Sequence, residues 1–229
     1  MIELVVFDMA GTTIDAGDDV AEIFRATLAR WSVPVTGEQI AAVRGASKRQ
    51  AMADLLERHA PDRLRDLDAI HSSFREALTA AADHFKLYPG ADDAVRACRE
   101  QGIRVALNSG FDRSVAGAVL EAVGWTGIAD ALVCGDEVPR GRPAPFLIFQ
   151  AMQRTGVASA HVVANVGDTA LDLQAGFNAG VKMNVGVCSG AHPRARLAVE
   201  PHTHLIESVA DIAMLLTSRA AAEQPSERR

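Results

Sequence analysis

Cysteine is scarce, and what there is lies far apart. Cys98, Cys134 and Cys188 form no Cys-x-x-Cys pair and no Cys/His spacing of a zinc site. That excludes a disulfide scaffold and predicts reduced thiols packed as small apolar side chains, as in a cytoplasmic protein. Long apolar runs are absent: no stretch approaches the roughly 18 residues that span a bilayer. The opening Met1-Ile2-Glu3-Leu4-Val5-Val6-Phe7-Asp8 has no basic region and does not read as a secretory signal. Positive charge is in deficit, with 23 Lys+Arg against 29 Asp+Glu and a net charge of −6. This disfavours a broad nucleic-acid face and an anionic membrane surface as partners. What is present is ordinary folding material. The 229 residues are 48% hydrophobic and 23% charged, enough for one large domain or a core with a modest insert.

The first apolar run, 2–7, is β-branched and ends at Asp8, with a turn at Ala10-Gly11-Thr12-Thr13. Similar runs at 103–107, 131–134, 161–166 and 182–187 alternate with helical stretches at 92–101, 113–123, 145–155 and 171–178. This alternation predicts βαβ units and a doubly wound parallel sheet, an α/β fold. Residues 17–86 break it. They hold only helical patterns, at 20–31, 38–43, 49–60 and 68–85, separated by Pro34, Gly45 and Pro61. The expected organisation is therefore an α/β core from 1–16 and 87–229, with a small all-helical cap at 17–86. Linkers near Ala16-Gly17 and Leu87-Tyr88-Pro89-Gly90 would let the cap hinge. The polar end, 220–229, is expected to fray.

Ligands of open parallel sheets sit beyond the carboxyl ends of the strands. Asp8 and Gly11-Thr12-Thr13 follow the first strand, and Ser109-Gly110 the second. Arg140 and Arg142 follow the third, then Asp168, Thr169 and Asp172 the fourth. Three carboxylates at one mouth call for a cation, and oxygen-only ligands favour Mg²⁺. Mg²⁺ and Arg142 would attract a phosphoryl group. Ser109 and the backbone N–H groups of Gly11, Thr12 and Thr13 would hold its oxygens. Asp8, on the sharp exit from its strand, is the expected nucleophile, forming an aspartyl phosphate. A lone aspartate at a strand end is commonly a cap; this ordered set is not a collection of unrelated caps.

Phe7-Asp8-Met9-Ala10-Gly11-Thr12-Thr13, Asn108-Ser109-Gly110, Gly141-Arg142-Pro143 and Val166-Gly167-Asp168-Thr169-Ala170-Leu171-Asp172 resemble the four motifs of the haloacid dehalogenase (HAD) superfamily. The resemblance covers nearly the whole chain. It implies a HAD-type Rossmann-like core, Asp8 as nucleophile, and a metal held by Asp8, the carbonyl of Ala10, Asp168 and Asp172. Phosphatases of that superfamily carry a second aspartate where this chain has Ala10, which cannot transfer a proton. Without an acid, an alkoxide leaving group loses roughly 10²–10⁴ in rate. The Asp-x-Ala-Gly-Thr-Thr form resembles the phosphonoacetaldehyde hydrolase (phosphonatase) family, in which a cap lysine forms an imine with the substrate aldehyde. Arg44-Gly45-Ala46-Ser47-Lys48 matches its Gly-x-x-Lys, so Lys48 is the expected second catalytic residue. Ser47-Lys48-Arg49-Gln50 also reads as a capping box opening a helix. Arg44, Ala51 and Phe111 stand where that family has Met, His and Tyr, which makes the chain phosphonatase-like.

The expected substrate is thus a small phosphonate, with a small phosphate ester as the alternative. A metal-free dehalogenase is disfavoured by Asp168 and Asp172, and a non-catalytic phosphate-binding domain by the full motif set. Pairing into a homodimer is compatible with the resemblance. His202 and His204 could pair on a strand around a metal but lack a third ligand. His71, His84, His161 and His192 stand alone, and Trp31 and Trp125 read as packing residues.

Overall fold

The computed structural model describes residues 1–216; the expected fraying of 220–229 lies outside them. Strand β1 (Leu4–Asp8) is buried along its whole length. Its alternating side chains serve two cores. Val5 and Phe7 face one cluster, and Leu4 and Val6 face the other.

After β1 the chain makes the short β2 (Ile14–Asp15) and enters a helical region. There α1 (Asp19–Arg30), α2 (Gly37–Ala42), α3 (Lys48–His59) and α4 (Leu67–Ala80) follow one another. Helices α1 and α4 meet through the Phe24 and Phe74 rings, edge to face at 5.5 Å between centroids. Helix α2 is opened by a capping box between Thr36 and Gln39. The expected single helix over 68–85 is instead α4 followed by a 3₁₀ turn, Ala82–His84. The two crossings are not loose linkers. Strand β2 pairs antiparallel with β3 (Lys86–Leu87), so the chain leaves and re-enters the core as a two-stranded ribbon.

The rest of the chain alternates: α5 (Ala91–Glu100), β4 (Arg104–Ser109), α6 (Arg113–Ala122), β5 (Ala131–Cys134), α7 (Phe146–Thr155), β6 (Val163–Gly167), α8 (Ala170–Ala179), β7 (Met183–Val187), α9 (Arg194–Leu197) and β8 (His204–Ile206). Helices α5 and α6 place Val95, Cys98, Val115 and Val119 over Val5 and Phe7. Helix α7 places Leu147, Ile148 and Ala151 over Leu4 and Val6. The sheet order is β5-β4-β1-β6-β7-β8, parallel throughout. The winding reverses at β1, which pairs with both β4 and β6. A crevice opens there at the carboxyl ends of the strands. The edge strand β8, which carries His204, belongs to the sheet although its three residues carry too little pattern to read in sequence. Cys98 and Cys134 are free and buried, and burial pushes both thiols up to about 12. No helix among the described residues is long and apolar enough to cross a membrane.

Candidate active site

Asp8 ends β1, Asp168 follows β6, and Asp172 lies in the first turn of α8. The topology brings all three, buried, to the crevice, where each offers an oxygen within 4.8 Å of the others. Among the described residues this is the one such group of His, Cys, Asp and Glu. Each carboxylate is aimed by its neighbours. Asp168 accepts from the Thr12 hydroxyl at 3.0 Å and the Ala191 N–H at 2.7 Å. Asp172 accepts from the Thr169 N–H at 3.0 Å and closes the capping box of α8. Arg142 Nη2 donates to Asp8 Oδ1 at 2.6 Å, and Nε lies 2.8 Å from Asp172 Oδ1. The same guanidinium reaches the Asn108 side chain at the end of β4. Gly11, at φ 98°, comes so close to Asp168 that an added Cβ would overlap the carboxylate.

The cluster is short of positive charge. Burial, then Asp172 and Asp168, push Asp8 up to about 8 despite Arg142. Burial and Asp172 push Asp168 up to about 6, against its bonds from Ala191 and Thr12. An all-oxygen, buried, electron-rich set of this kind fits a hard divalent cation.

Lys48 enters from the helical region. It is the first residue of α3, and its N–H donates to the Gly110 carbonyl at 3.1 Å. Its Nζ lies 5.5 Å from the centre of the Phe111 ring and 3.5 Å from the Ala46 carbonyl. Burial lowers the amine to about 8; Arg142 and Arg44 act in the same direction, and Asp8 and Asp168 oppose. The loop before Lys48 presses on the core. An added Cβ on Gly45 would overlap the Thr169 hydroxyl, and one on Gly110 would crowd the Ala46 carbonyl. Asp8, Ala10, Lys48, Ser109, Gly110 and Arg142 all line one cavity of about 360 Å³, within the size range of small-molecule sites.

A family profile described as haloacid dehalogenase-like hydrolase matches residues 2–180. The chain belongs to the haloacid dehalogenase-like hydrolases. Within them its curated relatives include a phosphonoacetaldehyde hydrolase of Bacillus cereus, 30% identical over 83% of this chain and 77% of that one. Another, from Paraburkholderia xenovorans, is 29% identical over 81% of this chain and 74% of that one. In fold, the chain matches a phosphonoacetaldehyde hydrolase-like protein from Oleispira antarctica at a TM-score of 0.85. That match has 23% identity and covers 97% of this chain and 95% of the other. This HAD hydrolase is therefore phosphonatase-like in sequence and architecture.

Two expectations need correction. The N–H groups of Gly11, Thr12 and Thr13 were expected to hold phosphoryl oxygens. All three are engaged inside their own turn, with the Ile14 and Met9 carbonyls. Thr12 and Thr13 turn their hydroxyls to Asp168 and to the Asp8 carbonyl, and of the three residues only Gly11 reaches the cavity. The turn needs those donors to close, so none is left to point outward. Ser47 does sit at the N-cap of α3, but its side chain accepts no capping bond, and Gln50 bonds Asp54 instead. Docking against Gly110 replaces the box.

Other residues carry more than their sequence suggested. His71 of α4 is buried with Nε2 3.2 Å from Asp112, which precedes α6. His192 accepts the Ala170 N–H at the start of α8 through Nδ1 at 3.0 Å, and burial lowers its pKa. Tyr88, the one tyrosine, lines the cavity. None of the three stands in a motif that could have announced it. His202 and His204 are engaged with the Glu200 carbonyl and the Thr203 hydroxyl. Trp125 is buried and donates to Asp92, and Arg140 is exposed.

Proposed function

We propose that this hydrolase cleaves the C–P bond of a small phosphonate with a carbonyl group β to phosphorus, with residues 17–86 acting as a cap over the core. The observation that carries this reading is a pairing. Position 10 has no acid to protonate a leaving group, while the Lys48 amine enters the same cavity as Asp8. A carbanion needs an electron sink more than a proton donor, and an imine is such a sink.

Lys48 adds to the carbonyl and water leaves, giving a protonated imine. Asp8 attacks phosphorus, the C–P bond breaks, and its electron pair passes into the imine to form an enamine. The enamine takes a proton at carbon and is hydrolysed, returning the amine and releasing the carbonyl product. Water then hydrolyses the aspartyl phosphate to inorganic phosphate. The sum is substrate plus one water giving carbonyl compound plus phosphate. Arg142, held between Asp8 and Asp172, is placed to orient the phosphoryl group, with Ser109 and Gly110 on the cavity wall.

Mg²⁺ would be held by Asp8, Asp168, Asp172 and the Ala10 carbonyl. When bound, it supplies the charge that offsets three carboxylates and a phosphoryl dianion.

The test is phosphate release from phosphonoacetaldehyde against a panel of small phosphate esters, with Mg²⁺ and with chelator. Release from the phosphonate, lost with chelator and lowered by at least about 10⁴ in Asp8→Asn, is the expected result. Release from esters alone would replace this reading with that of a phosphatase.

A further inference from the structure

The cavity does not end at Lys48. Phe24, Ile40, Val43 and Arg44 of the helical region line it as well. Its 360 Å³ leaves space that a two-carbon phosphonate held between Asp8 and Lys48 does not fill.

Arg44 is half-buried in that wall. Among the described residues no carboxylate pairs with it, and no side-chain hydrogen bond satisfies it. The other arginines without an ion pair among the described residues, Arg25, Arg30, Arg58, Arg104 and Arg140, are exposed to water. Partial burial of a guanidinium without a counter-charge is unfavourable unless an anion arrives.

Its place is also fixed. Val43 before it ends α2. Gly45 after it is pressed on Thr169, and its carbonyl accepts from Arg142. The positive charge is close enough to act on the Lys48 amine. Asp15 and Asp18 line the cavity too, and they repel a second anion from their side. Arg142 lines the cavity as well but is already paired with Asp8 and Asp172, so Arg44 is the lining arginine left to meet an anionic substituent on a carbonyl carbon held at Lys48.

We propose that the substrate carries a carboxylate besides its phosphonate, and that Arg44 binds this carboxylate and so selects a phosphono-2-oxo acid over the corresponding aldehyde. A guanidinium fork suits a planar carboxylate, which it can hold through two parallel hydrogen bonds. The bond changes are those given above: 3-phosphonopyruvate plus water yields pyruvate and phosphate. The C–P electron pair passes through the imine to carbon, which takes a proton from water. The product is a 2-oxo acid, so a reaction that consumes 2-oxo acids would follow. The inference rests on the C–P cleavage reading for its chemistry, but not for binding.

The test compares kcat/KM for 3-phosphonopyruvate and phosphonoacetaldehyde in the wild-type chain, Arg44→Met and Arg44→Lys. The wild-type chain is expected to prefer the carboxylated substrate. Arg44→Met should lower that preference by about 10–100-fold, the scale of a charge-assisted hydrogen bond, with the loss mainly in KM. Arg44→Lys should restore part of it. Equal use of both substrates by the wild type, or an equal loss on both in Arg44→Met, overturns the proposal. Thermal-shift binding of 3-phosphonopyruvate to the same proteins separates the two readings. If neither phosphonate is cleaved, the cleavage reading fails. Stabilisation by 3-phosphonopyruvate that disappears in Arg44→Met would still support the carboxylate site. Identical shifts in both proteins would remove it.

Discussion

Lys48 lies in surroundings that oppose its charge. Burial, with Arg142 and Arg44, brings its amine down to about 8 while Asp8 and Asp168 pull the other way. An imine forms from the neutral amine, which prevails above that pH. With Mg²⁺ bound and Asp8 thereby held ionised, turnover of a carbonyl phosphonate is therefore expected to rise about tenfold per pH unit below about 8 and to level off above it. Borohydride trapping of the protein with the aldehyde should follow the same curve. Lys48→Arg keeps the charge without a usable lone pair and should give no adduct. Trapping that stays flat between about pH 6 and pH 9, or survives Lys48→Arg, would remove the imine. At this scale much was legible. Asp8, Asp168, Asp172 and Arg142 follow strands with clear apolar runs, so their convergence could be read from order alone. The N–H groups of Gly11, Thr12 and Thr13 were not legible, because a turn's internal hydrogen bonds leave no mark in composition.

Elements are joined around the site by single side chains. Glu137, in the 3₁₀ turn after β5, accepts from the Cys134 N–H at 2.8 Å and from Arg113 of α6 at 2.7 Å. It also accepts from Arg154 of α7 at 3.1 Å. Burial opposes its charge, yet the bonds from Arg154, Arg113 and Cys134 hold it down to about 2. Because the folded value lies below the ordinary carboxylate range, the stabilisation is present above that range and is lost as pH falls toward about 2. Glu137→Gln is expected to cost about 1–3 kcal/mol at neutral pH, measured by urea unfolding, with the deficit shrinking as the solution is acidified. A deficit independent of pH would mean that packing, not charge, links these elements. Long helices and core strands were legible from their periods. The ribbon β2–β3 and the edge strand β8 were not. They contain two or three residues each, and their pairing comes from partners distant in sequence.

Across the molecule, two contacts that single substitutions can test hold the helical region on the core. One is the loop Arg44–Ser47 against Gly110 and Thr169. The other is Asp112, which pairs with Arg75 of α4 at 3.5 Å and has His71 Nε2 of the same helix 3.2 Å away, outside hydrogen-bond geometry. Asp112→Ala leaves the buried His71 and the neighbouring guanidinium without their carboxylate. It should cost about 2–3 kcal/mol. If 17–86 moves as a cap, the loss should be local. Amide exchange should speed up in α3 and α4 while β1 and β4 remain protected. A uniform rise across all helices and strands would instead make the chain one cooperative unit. Gly45→Ala tests the other contact. It combines strain at φ 90° with overlap on Thr169, and is expected to lower kcat by about tenfold or more through misplacement of Lys48. Unchanged turnover would show that closure tolerates a gap there.

Periodicity, turn residues and the order of strand ends are local properties. They were enough to read a parallel α/β sheet, a run of helices after its first strand, and an acidic, arginine-bearing mouth. Tertiary packing decided the rest. It set Lys48 in one cavity with Asp8, forty residues away in sequence. It placed Arg142 between two carboxylates and left Arg44 in the lining of that cavity with no carboxylate partner among the described residues. The reason is that a side chain's neighbours across a cleft depend on how whole elements stack, and no short window of sequence contains both sides of a cleft.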